Sequence, residues 1–452
     1  MTRRRNVDLT QGSIAKQILL FAIPILLGDL FQNFYNSVDS LVVGNYVGKE
    51  ALAAVNACSP ITNLLVNFFV GMSAGTGVIF GRNFGARTYK KLQDSIHTTV
   101  AFAFIVGFSL AAIGVVFSRN LLRLVDCPAD IFSSASMYLR VYTIGILFTA
   151  IYNIGAGVLR AVGDSRSPFY ALVLSSLLNI LLDIVFVVYF RMGVLGVAFA
   201  TIIAQLISVL IVYRRMMIMD EEYRFSFRKL AVDKTILKEV IDLGLPAGIQ
   251  SCLISFSNMF VHRYINSFGS SATAGVGIGT RLDRFAGLSI RALGLSASTF
   301  VAQNVGAQQV DRLKRGMWTC YFLCCASIAL FGGPLYIFAF KLAGLFNSDP
   351  EVISYGANMM RVIIPFYFMQ AGNQVISGSL RGFGYSRQVM LLSLIGMILV
   401  RQIFLAVSMS ISHNIMNVYF GFPVGWGGAC LATGIFYLYI RNKKGLFDKI
   451  GQ

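Results

Sequence analysis

Charge is scarce in this chain, and negative charge most of all. Among 452 residues there are 20 Asp and Glu against 38 Lys and Arg, and only 13% of the chain is charged. Soluble domains carry about 25% charged residues, so there is too little charge here to coat a water-facing surface. Histidine is almost absent: His97, His262 and His413 are far apart and have no ligand spacing, which excludes a histidine metal centre. The seven cysteines, Cys58, Cys127, Cys252, Cys320, Cys324, Cys325 and Cys430, are odd in number and lie mostly in apolar runs. No spacing among them suits zinc or a disulfide framework, and they read as small apolar packing residues. No Gly-Lys-Ser or Gly-Lys-Thr occurs, so there is no phosphate-binding loop and ATP is not the expected fuel. No nucleophile–base pair is visible, so the chain is not expected to be an enzyme or to carry a cofactor.

What is present in excess is apolar sequence. The chain is 56% hydrophobic, with a mean hydropathy of +0.69. A bilayer-crossing helix needs about 20 apolar residues. Apolar runs predict twelve such helices, at 18–43, 52–80, 95–117, 133–158, 169–190, 194–213, 240–265, 274–302, 317–340, 354–380, 389–410 and 424–440. The basic N-terminal residues are followed by a run too long for a signal peptide and without a clear cleavage site, so the first helix is expected to be retained. The fold class is therefore an all-α integral membrane protein.

The net charge of +18 could suggest nucleic acid, but its distribution does not. Basic residues sit in short clusters between apolar runs, and the clusters alternate. One set of loops receives Arg3, Arg4, Arg5, Arg82, Arg87, Lys90, Lys91, Arg160, Arg166, the stretch 214–238, Arg312, Lys314, Arg315, Arg381, Arg387 and a basic tail. The other set receives only Lys49, Arg119, Arg123, Arg191 and Lys341. Cytoplasmic loops collect Lys and Arg, so both termini are expected inside a bacterial cytoplasmic membrane. That requires an even number of helices. The expected partners are membrane lipid and a small organic substrate, not nucleic acid, and the working unit is expected to be a monomer.

The chain also repeats itself. Leu159-Arg160-Ala161-Val162-Gly163-Asp164-Ser165-Arg166 returns as Leu380-Arg381-Gly382-Phe383-Gly384-Tyr385-Ser386-Arg387, and Asn83-Phe84-Gly85-Ala86 returns as Asn304-Val305-Gly306-Ala307. Both are displaced by 221 residues, 159 to 380 and 83 to 304. Near the end the displacement grows, which suggests a longer outer loop around His413 to Pro423. Each repeat holds six helices, so the two bundles enter from the same side and are related by a pseudo-two-fold along the membrane normal. The expected division is an N-terminal bundle 1–213, a cytoplasmic linker 214–239 and a C-terminal bundle 240–452. Such duplication is typical of secondary transporters that rock two halves about a substrate.

Acids inside a membrane are costly and default to functional candidates. Asp39 falls near the outer end of the first helix and Asp183 in the outer half of the fifth. Asn179 precedes Asp183 by one turn on the same face. Thr201 and Tyr138 fall at similar depth on the sixth and fourth helices. Carboxylate, amide, hydroxyl and phenol oxygens suit Na+ at Asp39, Asn179, Asp183 and Thr201, and a carboxylate alone suits a proton. At the same displacement the second half has Val261, Val400 and Phe404, so coupling is expected in one half only. The C-terminal half instead carries a candidate polar network of Arg281, Asp283, Arg284, Arg361 and Arg401. Pro24 removes a backbone hydrogen bond and is a candidate hinge. Phe31, Phe34, Tyr35, Asn36, Phe256, Met259 and Gln374 are candidate cavity-lining residues.

Over nearly its full length the chain resembles the multidrug and toxic compound extrusion (MATE) transporters, in particular their bacterial DinF-like branch. The resemblance rests on Ile23-Pro24, Val38-Asp39-Ser40, Gly81-Arg82-Asn83-Phe84-Gly85-Ala86, Leu159 to Asp164, Leu178-Asn179 with Asp183, and Gly196 to Thr201. In the second half it rests on Gly244-Leu245-Pro246-Ala247-Gly248 and Gln303 to Ala307. It implies antiport of organic, often cationic, compounds against sodium ions or protons by alternating access. It also implies that Asp39, Asn179, Asp183, Thr201 and Tyr138 match the cation-site positions. The NorM-like branch places an acid in the seventh helix, where this chain offers Gln250, Ser255 and Asn258. A flippase for lipid-linked sugars or cell-wall precursors is the alternative, kept open by Arg281, Arg284 and Arg361.

Overall fold

Apolar runs separated by short basic or glycine-bearing turns fold as helices throughout; no strand occurs among the described residues. The computed structural model describes residues 7–443 and 445–451, without the side chains of Asn36, Ser40, Leu41, Val43 and Lys449. Twelve of its helices are long and apolar enough to cross a membrane. They are α1 (Ile14–Val47), α2 (Lys49–Gly85), α3 (Tyr89–Leu124), α4 (Phe132–Ala161), α5 (Arg166–Tyr189), α6 (Val194–Met217), α7 (Lys234–Asn266), α8 (Ser270–Gly306), α9 (Val310–Ile337), α10 (Pro350–Gly382), α11 (Ser386–Ile411) and α12 (Ile415–Lys443). Each overlaps one of the twelve sequence-predicted spans.

The last connection differs from expectation. The predicted long outer loop around His413 to Pro423 is mostly helix, because α12 starts at Ile415 and carries Pro423 inside it. Asn414 Oδ1 accepts the Met416 N–H at 2.9 Å and so caps the new helix. Asn417 Nδ2 donates to the carbonyls of Ser408 and Ser412, at 3.1 and 2.7 Å, closing the end of α11. Polar capping at both helix ends holds the chain in a tight turn, and the extra residues behind the larger repeat displacement extend α12 instead of a loop.

The chain divides into two compact units, Met1–Val7 with Leu27–Ser251 and Asp8–Leu26 with Cys252–Gln452. One division precedes α1, and the other two fall inside α1 and α7, each a few residues after a helix proline, Pro24 and Pro246.

In the first unit, buried Phe69, Met72, Phe80, Ile96, Ile154 and Met216 form the main core. A second cluster around Ala54, Cys58, Leu122, Tyr138 and Val197 packs further along the same helices. The first half of α7 lies directly on α2, and glycines make this possible. A Cβ at Gly71 would strike the Ala247 carbonyl, and one at Gly75 would strike that of Leu243. Small residues let membrane helices approach backbone to backbone. The connector between α6 and α7 is docked, with Tyr223 and Phe225 buried in the core. His97 Nε2 accepts the Ser226 N–H at 3.0 Å, while its other ring nitrogen lies 2.7 Å from the Gln93 carbonyl.

Asp164, in the turn before α5, is 1% exposed and binds Arg215 at 2.8 Å. It also accepts the Ser167 N–H and hydroxyl, at 3.0 and 2.7 Å, which starts α5. Removing one partner of a buried pair strands the other charge. Arg215→Met is therefore expected to lower stability by about 3 kcal/mol, and Asp164→Asn added to it to restore part of that loss. Thermal unfolding in detergent measures both.

In the second unit, α8 and α10 share a glycine seam. A Cβ at Gly378 would meet the Gly294 carbonyl, and Gly275 and Gly356 face each other higher on the same pair. The segment before α1 is clamped onto α8 and α9. Leu9 is fully buried, its N–H bound by Gln303 Oε1 at 3.1 Å. Arg312 donates to the carbonyls of Leu9, Gly12 and Gln11 at 3.0, 2.7 and 2.8 Å. Arg312, counted by sequence as a loop charge, thus serves as a backbone clamp.

Candidate functional site

The candidate site lies in the first unit, where the C-terminal half of α1 meets α4 and α5. A five-residue π-helical turn, Val43–Val47, ends α1, and Asp39 sits one turn before it. A π-helical turn, Ile184–Tyr189, also ends α5, and Asp183 is the residue that precedes it. Such turns are often found at functional sites, since they re-aim side chains at the cost of weaker hydrogen bonds. Here both acids are carried at the point where α-helix gives way to the wider turn.

The carboxyl groups of Asp39 and Asp183 adjoin one another. Asp183 is fully buried and Asn179 is 2% exposed. Both Asp183 oxygens, Asp39 Oδ1 and both amide atoms of Asn179 are buried without a hydrogen-bonding donor or acceptor among the described residues, apart from the contact of the two carboxyls. Buried polar atoms are rarely left so. Two adjoining carboxyls satisfy each other only if one carries a proton or a cation lies against both. The donor set, three carboxylate oxygens and one amide oxygen, is the hard-oxygen type that suits such a cation.

Tyrosines enclose the pair. Tyr138 is buried and faces Asp39, and its ring lies 5.7 Å from that of Tyr142. Tyr142 also faces Asp39, and Tyr35 faces both acids with Gln32 at its hydroxyl. Tyr142 was not anticipated, although it follows Tyr138 by one turn and so shares its face. Tyr35, expected to line a cavity, is instead part of the acid cluster. Thr201 donates its hydroxyl back to the Val197 carbonyl at 2.9 Å. Among the described residues its one hydrogen bond is to that carbonyl and not to either acid. Phe31 packs edge-on to Phe169 at 6.2 Å, Phe34 is exposed, and Asn36 lies outside the described side chains.

A second charged group in this unit was missed. Arg160 at the end of α4 turns back toward the bundle, donates to Ser73 Oγ at 3.3 Å, and faces Asp29 and Tyr152. By sequence Arg160 falls with the loop charges, because it lies at the border of an apolar run.

In the second unit the five expected network residues separate into different settings. Asp283 accepts the Tyr367 hydroxyl at 2.6 Å and lies near Arg284 and Arg291. Arg281 is exposed, and Arg361 lies over the Phe340 ring at 4.7 Å. Arg401 is buried and binds Asn258 and Ser257 at 2.9 and 2.7 Å. Among the described residues these five do not join in one network: Arg284 lies near Asp283, while Arg361 and Arg401 have partners of their own. Gln374 packs its Cβ on Gly294 in the α8–α10 seam, and Met259 is exposed. Phe256 lines a cavity of about 380 Å³ with Leu253, Ser257, Phe260, Ile398 and Gln402.

The MatE family profile matches the chain twice, over residues 24–185 and 246–407. The chain belongs to the MatE family. The two matched segments are displaced by 222 residues, 24 to 246, in agreement with the internal repeat. The chain is 30% identical to the probable multidrug resistance protein YpnP of Bacillus subtilis, over 98% of this chain and 97% of that one. It is 29% identical to the probable multidrug resistance protein YoeA of the same organism, over 96% of each. A third relative, 26% identical over 77% of each chain, is the FAD transporter of Shewanella oneidensis. A multidrug-resistance MATE transporter solved in an outward-facing conformation shares the fold, with a TM-score of 0.90, 21% identity, and 99% and 100% of the two chains covered. A MATE structure described as the bent conformation matches equally well, with a TM-score of 0.90 and 21% identity over 98% of each chain. This MatE protein is thus a multi-pass membrane transporter of a multidrug efflux family, not an enzyme.

Proposed function

We propose that this MatE protein exports small organic compounds from the cytoplasm by antiport, taking sodium ions or protons inward at the Asp39–Asp183 pair. The observation that supports this most is the buried carboxyl pair with unpartnered oxygens in the first unit. Asn179 supplies a further oxygen, Tyr138 walls the pair, and Thr201 lies on the neighbouring helix α6. Pro24 is the hinge that lets α1 bend when the pair fills. The N-terminal bundle 1–213, the linker 214–239 and the C-terminal bundle 240–452 work together as a monomer. Ethidium efflux from an efflux-deficient bacterial host tests export. Uptake of ethidium into inverted vesicles, under a sodium gradient or a pH gradient alone, identifies the ion. Equal transport with neither gradient would rule out antiport.

The cargo extends to anionic as well as cationic compounds. The relative from Shewanella oneidensis is an FAD transporter, and the second unit carries buried or membrane-level arginines in excess of its acids.

The proposed topology puts both termini in the cytoplasm of a bacterial cell membrane. The native Cys127, in the loop between α3 and α4, then faces outward. Burial and the nearby Asp130 carboxylate hold its thiol above the usual range, so labelling is expected to be slow at neutral pH and faster in more alkaline buffer. An impermeant maleimide added to intact cells is expected to label the protein, and Cys127→Ser to remove that label. Labelling of Cys127 only after the cells are opened would reverse the topology.

A further inference from the structure

Arg401 stands near the middle of α11, directly after a second-unit π-helical turn, Ile395–Val400. It is 3% exposed. A charge at this depth is costly unless paired, yet the ion pairs found among the described residues do not include it. Its two terminal nitrogens donate to neutral groups, to Asn258 Oδ1 at 2.9 Å and to Ser257 Oγ at 2.7 Å. Its Nε–H is buried without an acceptor. Ser257, 1% exposed, receives a second donor from Gln402 Nε2 at 3.2 Å. With two N–H groups aimed at its oxygen, the hydroxyl hydrogen of Ser257 is left to donate. Ser257 and Gln402 both line the cavity of about 380 Å³, and Phe256 and Phe260 form its aromatic wall, edge to face at 5.2 Å. One corner of an apolar cavity is therefore a donor polarised by an unneutralised cation.

We propose that this cavity is a subsite for the aromatic oxyanion portion of a transported compound. The ring lies against Phe256 and Phe260. A carboxylate or phosphate oxygen accepts from the Ser257 hydroxyl, which Arg401 orients and polarises from behind. Arg401 is a positioning residue, since it does not line the cavity. The inference rests on the export reading and adds to it the place where an aromatic anion is bound. An arginine that only stitches α7 to α11 would not distinguish charged from neutral ligands, and this difference decides the test.

The purified full-length protein in lipid nanodiscs is titrated calorimetrically with 2-naphthoate, 2-naphthyl phosphate and the neutral 2-ethylnaphthalene, which offers Ser257 no acceptor. Wild type is expected to prefer an anion by about tenfold or more, the effect of one charge-assisted hydrogen bond. The better of the two anions tells carboxylate from phosphate. Arg401→Gln and Ser257→Ala are each expected to remove the preference while leaving the neutral ligand within about twofold, and Arg401→Lys to keep part of it. Equal wild-type affinity for anion and neutral ligand overturns the proposal. So does a preference that survives both substitutions, or a parallel loss for both ligand types. Decanoate binding more tightly than 2-naphthoate would assign the cavity to a lipid chain and also overturn it. If Arg401→Gln does not fold, the wild-type preference and Ser257→Ala still decide. Ethidium efflux by the same variants separates the outcomes, since a missing anion preference beside intact efflux removes only the subsite.

Discussion

Asp39→Asn and Asp183→Asn are each expected to lower ethidium efflux at least about a hundredfold while leaving the protein folded and inserted. The amide has the shape of the acid, so packing around the fully buried Asp183 is retained. What is lost is the ability to change charge. In the pair as it stands, two carboxyls adjoin, and no cationic side chain among the described residues acts on either. Filling and emptying therefore changes the local charge by one, and that change is what an ion gradient can act on. An Asp–Asn pair is locked in the equivalent of its filled state. Efflux is measured in an efflux-deficient host at several pH values and sodium concentrations, with expression and size-exclusion profiles as controls. Wild-type efflux in either variant would remove that residue from the coupling step. Tyr142→Phe gives a graded comparison, because it keeps the ring against Tyr138 and removes only the hydroxyl.

The helices were legible because hydropathy in a membrane has few competitors. A run of about 20 apolar residues has no other stable arrangement. The beginning of α12 escaped because the growing displacement of the repeat was taken for a loop, whereas Asn414 and Asn417 cap an apolar helical turn there, which no repeat spacing registers. The acids of the candidate site were legible one at a time, because each is an expensive exception in an apolar run. Their meeting was not, since it depends on how α1 and α5 pack. Tyr142 was missed because a tyrosine is no exception in such a run. The C-terminal arginines show the opposite error. They look alike in sequence, yet Arg361 covers an aromatic ring and Arg401 is buried among neutral donors and acceptors. Arg160 and Arg312 were read as loop charges. A side chain long enough to turn back from a helix end can reach Ser73 or the Leu9 carbonyl, and no count of Lys and Arg shows this.

Cation and substrate are expected to weaken each other's binding by the same factor. If the Asp39–Asp183 pair drives export, filling it must favour a conformation that holds substrate poorly. Linkage then requires the reverse effect to be equal. The ion gradient sets the scale. One charge moved through 100 mV supplies about 2.3 kcal/mol, enough to shift an equilibrium by roughly fiftyfold. A coupling of about tenfold, or about 1.4 kcal/mol, is therefore within reach of a single ion. α1 is the element through which the effect can pass. It carries Asp39 and Tyr35 in the first unit and belongs to the second unit up to Leu26, just after Pro24. A bend at Pro24 moves the outer part of the helix and leaves the clamped segment at Leu9 in place. Substrate titrations of the purified protein, with pH and sodium varied separately, measure the factor. The apparent ethidium dissociation constant is expected to rise about tenfold on saturation by the coupling ion, and not to respond in Asp39→Asn. Pro24→Ala is expected to retain ion-dependent ethidium binding within about threefold of wild type, yet to slow efflux, because it restores the backbone hydrogen bond whose absence permits the bend. Ethidium affinity indifferent to both pH and sodium in the wild-type protein would separate Asp39 and Asp183 from transport altogether.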